Sequence, residues 1–400
     1  MNILQICHKP PYPPIDGGSI AMYSLYNGLI ENGNNVHILA MNTHKQYCDL
    51  KNVPSDFKSK SKYLLVDIDI RIKILPAFLN LFTGQSYNIT RFNSINFSRA
   101  IRQVLNKHTY DVIILESLYT TPYIHLLRKY SNAKLVLRAH NAEFKIWENL
   151  AQNENNILKK CYLNLLSRRL KKYELSTLDK VNLIASISDK DNLVFKNSLC
   201  KTPMIYLPFG INFNDEEFKH YTPPEIDELV LFHIGSMDWL PHQEAFKWFF
   251  ENVWEQIYRT LPHVKLYLAG AKMPDWLTNM NYSNVFITNS YVDGKIFMNK
   301  KAIMIVPSFS GSGIRIKIAE GMAKGKVILT TSNGAMGIPC IDRQNIFISD
   351  KSDEWISIIF QCMNDLELVK KVSQEARQFS KTEFEYRLSA KKLTDALNHT

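Results

Sequence analysis

Residues 306–325, which read VPSFSGSGIRIKIAEGMAKG, combine glycines, cations and one carboxylate in an order that could bind an anion. A short apolar strand comes first, and a helix begins near residues 314–316, so the unpaired N–H groups of its first turn would face the intervening loop. Arg315 and Lys317 add positive charge, and Glu320 could accept hydrogen bonds from two ribose hydroxyls. An (i, i+3) ion pair between Lys317 and Glu320 is the structural alternative for the lysine. The pattern predicts a nucleoside-diphosphate site formed by Gly311, Ser312, Gly313, Ile314, Arg315, Lys317 and Glu320.

A second glycine-containing loop follows the first apolar strand. It reads HKPPYPPIDGGS over residues 8–19, and Gly17 and Gly18 stand just before a predicted helix. Backbone amides of residues without a Cβ can approach a ligand closely, which favours a second anion site. A tight strand-to-helix connection explains the same residues equally well.

Polar residues also follow the apolar strand at residues 135–137, in the stretch RAHNAE at residues 138–143. The carboxyl ends of parallel strands are where ligands bind in open α/β sheets. His140 is therefore a candidate functional residue, with a structural histidine as the alternative.

The composition indicates a soluble globular protein. The chain has 400 residues, of which 46% are apolar and 22% charged, and this length favours two domains. No apolar run is long enough for a membrane-spanning helix, and the N-terminus enters a strand without a signal-peptide pattern, so we expect a cytoplasmic protein. The six cysteines form no CxxC pair, which disfavours a zinc site.

Positive charge is concentrated in the first half of the chain. Residues 1–207 contain 27 Lys and Arg against 15 Asp and Glu, while residues 208–400 contain 21 against 23. No basic stripe interleaved with aromatic residues is present, so nucleic acid is not a predicted partner. The densest basic cluster lies in a helix predicted over residues 145–178 and indicates either peripheral contact with an anionic membrane or a solvated helix face. This cluster consists of Lys159, Lys160, Arg168, Arg169, Lys171 and Lys172.

Short apolar runs alternate with helical patterns in both halves, which is typical of doubly wound parallel sheets. The first half has predicted strands at residues 3–7, 36–41, 112–115, 135–137 and 183–187. The second half has them at residues 229–234, 265–269, 285–288, 302–306 and 327–330. Proline and glycine at residues 207–210 indicate a domain break. The predicted fold class is α/β, with two Rossmann-like domains, residues 1–207 and 208–382, facing each other across a cleft.

With these loops in this order, the chain resembles the family 4 retaining glycosyltransferases of the GT-B fold over nearly its full length. The matching segments are PPYPPIDGG at residues 10–18, RAHNAEF at 138–144, PFGIN at 208–212, HIGSMDWLPHQEA at 233–245 and the run over 306–331. The resemblance implies a nucleotide-sugar donor of UDP or GDP type held mainly by the C-terminal domain. It also implies an acceptor held mainly by the N-terminal domain. We expect a glycan or lipid-linked acceptor, in bacterial surface-glycan or polysaccharide synthesis, with a soluble small-molecule acceptor as the alternative. The last helix, about residues 383–400, is expected to pack back on the N-terminal domain.

The resemblance assigns roles to individual residues. Glu320 matches the second glutamate of the family's E-x7-E motif, but Ser312 stands where the first glutamate is expected. His140 matches the histidine that lies near the transferred sugar. Further donor-side positions are Gly17, Gly18, Gly235 and Ser236. The expected acceptor-side residues are Asp16, Asn141 and Glu143.

The implied chemistry is same-face attack by an acceptor hydroxyl, with no cofactor other than the donor and no metal. The arginine and lysine that many family members carry after the first strand of the C-terminal domain are absent, so Arg315 and Lys317 are expected to neutralise the diphosphate. His140 would orient the sugar. Asp67 and Asp69 form a DxD like that of metal-dependent glycosyltransferases of another fold, but the alternating segment DIDIRIKI predicts a half-exposed strand instead.

Two further features of the sequence bear on function. The apolar stretch PAFLNLF at residues 76–82 indicates either contact with lipid or a buried helix. Because Ser312 replaces a motif glutamate, an alternative function is that of a catalytically inactive partner subunit that binds a nucleotide or a sugar. A nicotinamide-dependent oxidoreductase is disfavoured, because Ile316 stands where a third glycine would be needed.

Overall fold

The computed structural model describes residues 1–80, 82–238, 240–290, 292–310 and 313–399. The chain divides into two compact units. The first consists of residues 1–210 together with the C-terminal segment from Tyr386, and the second of residues 211–385. The sequence predicted a first domain of residues 1–207, a second of residues 208–382, and a last helix from about residue 383 that belongs with the first domain.

The first unit is built on a seven-stranded sheet in which every neighbouring pair is parallel. Its strands are β1 (Asn2–Cys7), β2 (Asn35–Thr43), β3 (Leu64–Ile68), β4 (Val112–Glu116), β5 (Lys134–Ala139), β6 (Leu183–Ser186) and β7 (Met204–Tyr206). They lie in the order β3-β2-β1-β4-β5-β6-β7. The strand order reverses between β1 and β4, so the carboxyl ends of these two strands are the expected place for a ligand.

Helices cover both faces of this sheet. In chain order they are α1 (Gly17–Glu31), α2 (Ser55–Ser61), α3 (Ile74–Asn80), α4 (Tyr87–Thr90), α5 (Ile95–Lys107), α6 (Ile124–Tyr130), α7 (Glu143–Gln152), α8 (Ile157–Leu178) and α9 (Asp189–Asn197). The central strands β1 and β4 are buried along almost their whole length, because apolar side chains point to both helical layers. Two apolar cores result, one on each face of the sheet.

The second unit has a six-stranded parallel sheet. Its strands are β8 (Leu231–Ile234), β9 (Leu266–Ala269), β10 (Val285–Thr288), β11 (Ile303–Val306), β12 (Val327–Thr330) and β13 (Phe347–Ile348), in the order β10-β9-β8-β11-β12-β13. Its helices are α10 (Glu216–Lys219), α11 (Leu240–Phe249), α12 (Glu255–Thr260), α13 (Asp275–Thr278), α14 (Gly294–Met298), α15 (Ile316–Ala323), α16 (Ser352–Asn364) and α17 (Leu366–Phe384). A π-helical turn over Phe250–Trp254 joins α11 to α12.

The last helix, α18 (Tyr386–Asn398), packs against α1 of the first unit. A Cβ built on Gly28 of α1 would overlap the backbone carbonyl of Tyr386, so this glycine permits the close approach of the two helices. Ala390, Leu393 and Leu397 complete the contact within one of the two apolar cores of the first unit.

Several elements differ from the sequence-based expectation. The helix predicted over residues 145–178 is two helices, because residues 153–156 leave the helical conformation and Asn156 caps α8 through its side chain. The strand predicted around DIDIRIKI ends at Ile68. The edge strands β7 and β13 are short, at three and two residues, and were not among the predicted strands.

Candidate functional site

The first part of the candidate site lies at the carboxyl ends of β1, β4 and β5. These strands are neighbours, and their register sets Cys7 opposite Glu116 and Glu116 opposite Arg138. The residues that follow β1 and β5, His8 and His140, therefore meet beside Glu116. Their rings lie edge to face with centroids 5.7 Å apart.

Glu116 is the centre of a buried hydrogen-bond network. Its Oε2 lies 2.7 Å from His140 Nε2, and its Oε1 accepts a hydrogen bond of 2.7 Å from Gln5 Nε2. Arg138 Nη1 lies 3.5 Å from the same Oε1. The carboxylate and the guanidinium are essentially inaccessible to solvent, so each needs the other as a counter-charge.

The charges of this network follow from its packing. Burial alone would raise the pKa of Glu116, but the charge of Arg138 and the hydrogen bond from His140 outweigh it and lower the pKa to about 2. Burial lowers the pKa of His140 despite the neighbouring carboxylate, and it lowers the pKa of His8 to about 3. Glu116 is therefore ionised and both histidines are neutral near pH 7.

The hydrogen bonds also select the histidine tautomers. Since Glu116 Oε2 can only accept, His140 Nε2 must carry the proton, and His140 Nδ1 is left as an acceptor. His8 Nδ1 lies 3.1 Å from the Glu116 carbonyl oxygen, so it donates and leaves His8 Nε2 as an acceptor. Two neutral imidazole acceptors are thus held side by side.

The loop before α1 places Asp16, Gly17 and Gly18 close to this network. Asp16 caps the helix by accepting a hydrogen bond of 2.8 Å from the Ser19 amide, and α1 begins at Gly17. Lys9 Nζ lies 2.6 Å from the Asp16 carboxylate and directly above Gly18, where a Cβ would meet the ammonium. The helix start thus carries its own ion pair beside the two glycines.

A cavity of about 420 Å³ opens at this end of the sheet. It is lined by cations and by apolar side chains, including Lys9, Lys45, Arg91, Phe92 and Tyr119. The rings of Phe92 and Tyr119 are stacked with centroids 4.5 Å apart. His8 and Asp16 also line it, so the cavity is the natural place for a polar ligand in this unit.

Glu143 and Asn141 are not among the described residues that line this cavity. Glu143 is buried at the start of α7, and its Oε2 accepts a hydrogen bond of 2.8 Å from the Tyr119 hydroxyl. Burial raises the pKa of Glu143, and the hydrogen bonds from Tyr119 and Asn141 oppose that rise. Glu143 is thus in a position to orient Tyr119 rather than to contact a ligand in the cavity.

The start of α7 is capped by acids from two other helices. Glu174 of α8 accepts hydrogen bonds from the backbone amides of Glu143 and Phe144, at 3.0 and 2.8 Å. Asp191 of α9 accepts one from the Ala142 amide at 3.0 Å. Burial raises the pKa of Glu174 to about 8. These contacts fix the path of the chain that follows His140.

The second part of the candidate site lies at the carboxyl ends of β8 and β11. Lys317, the second residue of α15, extends its ammonium over Gly235, where a Cβ would overlap Lys317 Nζ. Burial and the charge of Arg315 lower the pKa of Lys317 to about 8. Among the described residues, Lys317 forms no ion pair, so the (i, i+3) pair with Glu320 that was the structural alternative is not formed.

His233 and His242 surround the same ammonium. His233 Nδ1 bonds the Ile305 carbonyl at 2.8 Å, and its buried Nε2 has no hydrogen-bond partner within the described part of the chain. Burial, together with the charge of Lys317, lowers the pKa of both histidines. His242 Nδ1 lies 3.1 Å from the Ser236 carbonyl, so α11 is tied to the turn that carries Gly235.

Arg315 and Lys317 have different roles. Arg315 precedes α15 and turns back on its own loop, donating to the carbonyls of Gly313 and Ser310 at 2.8 and 3.0 Å and to Ser308 Oγ at 3.3 Å. It therefore fixes the loop. The expectation that both cations neutralise a ligand has direct geometric support only for Lys317.

Four more of the residues predicted to contact the donor are Ser236, Ile314, Gly311 and Ser312, and the structure describes the first two. The side chain of Ser236 donates to Asp238 Oδ1 at 2.8 Å, and Ile314 is half-buried. Gly311 and Ser312 lie outside the described residues, so the position of the missing motif glutamate is not described.

Glu320 is half-buried on α15. Burial raises its pKa to about 7, with Lys324 lowering it and Glu217 raising it. Lys324 itself pairs with Glu217 at 2.9 Å, so it is shared between two carboxylates. Glu320 is a carboxylate close to its titration point near neutral pH.

The structure also describes the basic cluster of α8, the apolar segment around α3 and the DxD at Asp67 and Asp69. Lys159 pairs with Glu154, and Lys171 pairs with Glu148, so the basic cluster is not one continuous face. In the apolar segment at residues 76–82, Leu79 and Phe82 are exposed, as are Ile72 and Leu75 just before it, so the apolar side chains described there are not buried. In the DxD, Asp67 accepts a hydrogen bond from Asn42. Asp69 binds Arg71 and Lys73.

Sequence reasoning missed Glu116, His8, Lys9 and Lys45. The signal was present for three of them, since His8 and Lys9 directly follow β1 and Glu116 ends β4, the two strands where the sheet order reverses. Lys45 lies beyond β2, and only the folded chain brings it to the cavity. No helix in the described part of the chain is long and apolar enough to cross a bilayer.

Comparison with known proteins finds a family model that matches part of the second unit. Residues 228–365, which contain β8–β13 and α15, match the family model described as glycosyl transferases group 1. A protein of the cps region of Klebsiella pneumoniae, itself uncharacterised, is 21% identical over 393 residues, which cover 94% of this chain and 95% of that relative.

Solved structures match both units. Anabaena HepE in complex with UDP gives a TM-score of 0.65 at 12% identity and covers 100% of both chains. Sucrose-phosphate synthase from Thermosynechococcus elongatus gives 0.68 at 14% identity and covers 100% of this chain and 98% of its own. The two parallel sheets of seven and six strands match these structures, which confirms the predicted α/β fold with two Rossmann-like sheets. With the group 1 match, the fold supports a GT-B glycosyltransferase.

Proposed function

We propose that this protein is a retaining glycosyltransferase that moves a sugar from a UDP- or GDP-type donor to a hydroxyl of a glycan or lipid-linked acceptor. The observation that carries the proposal is the Lys317 ammonium. It is placed over Gly235 and beside two neutral histidines, and among the described residues no carboxylate pairs with it. A diphosphate is a ligand that supplies the matching charge. The segment lies within the part of the chain that matches the group 1 model.

In this proposal the second unit holds the donor. Lys317 and the first-turn amides of α15 would stabilise the negative charge that develops on the leaving diphosphate. Glu320, when ionised, would accept hydrogen bonds from the ribose hydroxyls. Anabaena HepE, which shares the fold, has been solved with UDP and with UDP-glucose, which supports a nucleotide-sugar donor here. No cofactor or metal is needed beyond the donor.

The first unit would hold the sugar and the acceptor. His140 Nδ1, kept unprotonated by the bond from Nε2 to Glu116, can accept a hydrogen bond from a sugar hydroxyl. The acceptor would occupy the 420 Å³ cavity. Its hydroxyl oxygen would form the new bond to the anomeric carbon on the face from which the phosphate oxygen departs, and its proton would pass to that oxygen.

The proposed setting is bacterial surface-glycan synthesis at the cytoplasmic face of the membrane. The relative from the Klebsiella cps region supports this setting. The exposed side chains Ile72, Leu75, Leu79 and Phe82 would make peripheral contact with an anionic bilayer, with the basic excess of the first 207 residues as the electrostatic attraction.

Donor binding and turnover test the proposal. Titration calorimetry with UDP, GDP, ADP and CMP would identify the base, and Lys317→Met should abolish the heat while Lys265→Met, an exposed lysine of the same unit, should not. Incubation with the matching nucleotide sugars and a panel of alkyl glycosides should then release the nucleotide. The anomeric coupling of the product, read by NMR, should equal that of the donor.

The alternative is a catalytically inactive partner subunit that binds a nucleotide or a sugar. The observation behind it is Ser312 at the position where the family's motif has a glutamate. Nucleotide binding without either hydrolysis or transfer of the donor would favour this alternative. An inverted anomeric product would contradict the retaining mechanism, and the absence of any nucleotide binding would contradict both functions.

A further inference from the structure

A second and larger cavity lies in the first unit, between α4, α6 and α8. Its volume is about 800 Å³, and none of its lining residues also lines the 420 Å³ cavity at the strand ends. Arg128 at one end donates a hydrogen bond of 2.8 Å to Asn182 Oδ1, and Asn182 precedes β6. That end of the cavity is therefore at the amino ends of the strands, opposite to the site at their carboxyl ends.

The cavity is strongly basic. Four cations line it, Arg128, Arg169, Lys172 and Lys180, and no aspartate or glutamate is among the described lining residues. Both arginines are fixed by oxygens of the protein. Arg128 donates to Asn182 Oδ1, as described above, and Arg169 Nη1 donates to the Asn80 carbonyl at 2.8 Å. Lys172 and Lys180 are exposed and form no ion pair among the described residues. A cavity with this charge favours an anionic ligand.

Hydroxyl and amide groups occupy the wall between the cations. Gln85, Thr90, Asn93 and Ser176 all line the cavity. Ser86 is 4% exposed, and its Oγ has no hydrogen-bond partner within the described part of the chain. Although Ser86 precedes α4, its side chain does not cap that helix. An unpartnered buried hydroxyl on the wall of a cavity is a group that a ligand oxygen can satisfy.

We propose that this cavity is a binding site for an acidic saccharide, that is, a glycan that carries carboxylate or phosphate groups. The cations would pair with the acidic groups, and the hydroxyl and amide side chains would bond the sugar hydroxyls. Binding at this site is independent of the transfer activity proposed above and can be measured without it.

Two other polyanions fit the cavity less well. A lipid surface needs a flat or convex face with large apolar side chains, and none of the exposed large apolar side chains described for this unit lines the cavity. Single-stranded nucleic acid needs several stacking rings. Tyr173 and His125 are the aromatic residues among the described lining residues, and the Tyr173 hydroxyl lies 2.9 Å from Thr121 Oγ1, so the cavity offers no series of stacking rings.

Calorimetric titration of the full chain tests the proposal. The probes are tetragalacturonate and trehalose 6-phosphate, with maltotetraose and trehalose as their uncharged counterparts. We expect each acidic probe to bind about tenfold more tightly than its uncharged counterpart. Lys172→Ala combined with Lys180→Ala should weaken binding of the acidic probes about tenfold. Ser86→Ala should weaken it about threefold without lowering the melting temperature, since this side chain caps no helix.

The matched control removes two exposed cations outside the cavity, through Arg168→Ala and Lys196→Ala. Unchanged binding in this control, with loss in the cavity variant, supports the proposal. Equal loss in both variants would overturn it, because attraction would then depend on net charge. Binding of inorganic pyrophosphate or of phosphatidylglycerol vesicles, but of neither acidic saccharide, would overturn it in favour of a free anion or a membrane. No binding of any probe would also overturn it.

Discussion

The two parts of the candidate site differ in how their charges are satisfied. In the first unit, Glu116 has both oxygens bonded, to His140 and to Gln5, and Arg138 supplies the counter-charge. In the second unit, Lys317 has no ion pair among the described residues, and His233 Nε2 is buried without a partner there. The first unit pairs its charges within the protein, although Gln5 Oε1 and Arg138 Nε have no hydrogen-bond partner among the described residues. The second unit holds positive charge without a protein anion in the described part of the chain.

The difference indicates a division of labour. The buried ion pair and hydrogen bonds around Glu116 fix the orientation and tautomer of His140. Half-buried positive charge without a partner, as at Lys317, is unfavourable in the free protein, and an anionic ligand lowers that penalty on binding. We therefore expect mutations in the first unit to act mainly on stability and orientation, and mutations in the second to act mainly on donor affinity.

Lys317→Met tests this division with the largest expected effect. The substitution keeps the length of the side chain and removes the charge, so the proposed diphosphate site loses the cation that lies over Gly235. We expect kcat/KM for the donor to fall about 1000-fold, or about 4 kcal/mol of transition-state stabilisation. The melting temperature should stay the same or rise, because desolvation of the ammonium is relieved.

Arg259→Met is the matched control, since Arg259 is an exposed cation of the same unit that pairs with Glu255. Its kcat/KM should equal that of the unsubstituted protein. Retention of full activity in Lys317→Met would remove the basis for placing the diphosphate at α15.

Glu116→Gln should mainly reduce the free energy of unfolding. The amide keeps the shape of the side chain but leaves the Arg138 guanidinium buried without a counter-charge, at a cost of about 3 kcal/mol. Because the pKa of Glu116 is lowered from 4.5 to about 2 in the folded protein, its contribution is present above pH 4.5 and is lost as the pH falls towards 2. Urea unfolding at pH 7 and pH 3 measures both effects.

A double-mutant cycle with Arg138→Met isolates the ion pair. The double variant should be more stable than the sum of the two single losses predicts, because neither charge is then left alone. Additive losses would mean that the pair is not coupled and that Glu116 acts only through His140 and Gln5.

The sheets were predictable from the sequence because their strands are buried on both faces. Apolar runs such as those of β4 and β11 can be recognised as strands without knowing which strands they pair with. The edge strands β7 and β13 were not predictable, since two or three residues carry no periodicity. The break between α7 and α8 was missed because the leucines that indicated a helix all lie within α8, and the prediction extended that pattern back to residue 145.

The candidate site was predictable only where its residues follow a glycine loop or a strand. Residues 306–325 carry such a pattern, and so does His140. The Glu116 network was not predicted, because pairing Glu116 with Arg138 depends on the register of β4 against β5. The different roles of Arg315 and Lys317 follow from the start of α15 at Ile316, a boundary that sequence patterns fix only to within a few residues.

The pH dependence of donor affinity should show two limbs from the second unit. Glu320, with its pKa raised to about 7, gains its charge as the pH rises, so affinity should fall about tenfold from pH 7.5 to pH 6. Lys317, with its pKa lowered to about 8, loses its charge above that pH, so affinity should fall again by pH 9. Calorimetry across this range would record a narrow maximum.

Variants assign each limb of the pH profile. Glu320→Gln should remove the acid limb and keep the alkaline one, while Lys317→Arg should remove the alkaline limb alone, because arginine keeps its charge at pH 9. A profile in which both variants keep both limbs would show that the titrating groups lie elsewhere.

Gly235→Ala probes the geometry of the same ammonium with the smallest expected effect on the donor. The new methyl group would overlap Lys317 Nζ, which is the flexible end of a long side chain and can move aside. We therefore expect donor affinity to fall about fivefold. Gly235 has a positive φ of 158°, so alanine also strains the backbone, and the free energy of unfolding should fall by about 1 kcal/mol.

Gly33→Ala is the matched control, because Gly33 also has a positive φ, of 79°, and a Cβ there would meet no atom within 4 Å. It should lower the free energy of unfolding by a similar amount, about 1 kcal/mol, and leave donor affinity unchanged. Calorimetry and urea unfolding of both variants separate the backbone strain from the displaced charge. Equal donor affinities in the two variants would mean that the position of the Lys317 charge does not matter to the donor. The proposed difference between a fixed network in one unit and a ligand-directed cation in the other would then lose its support.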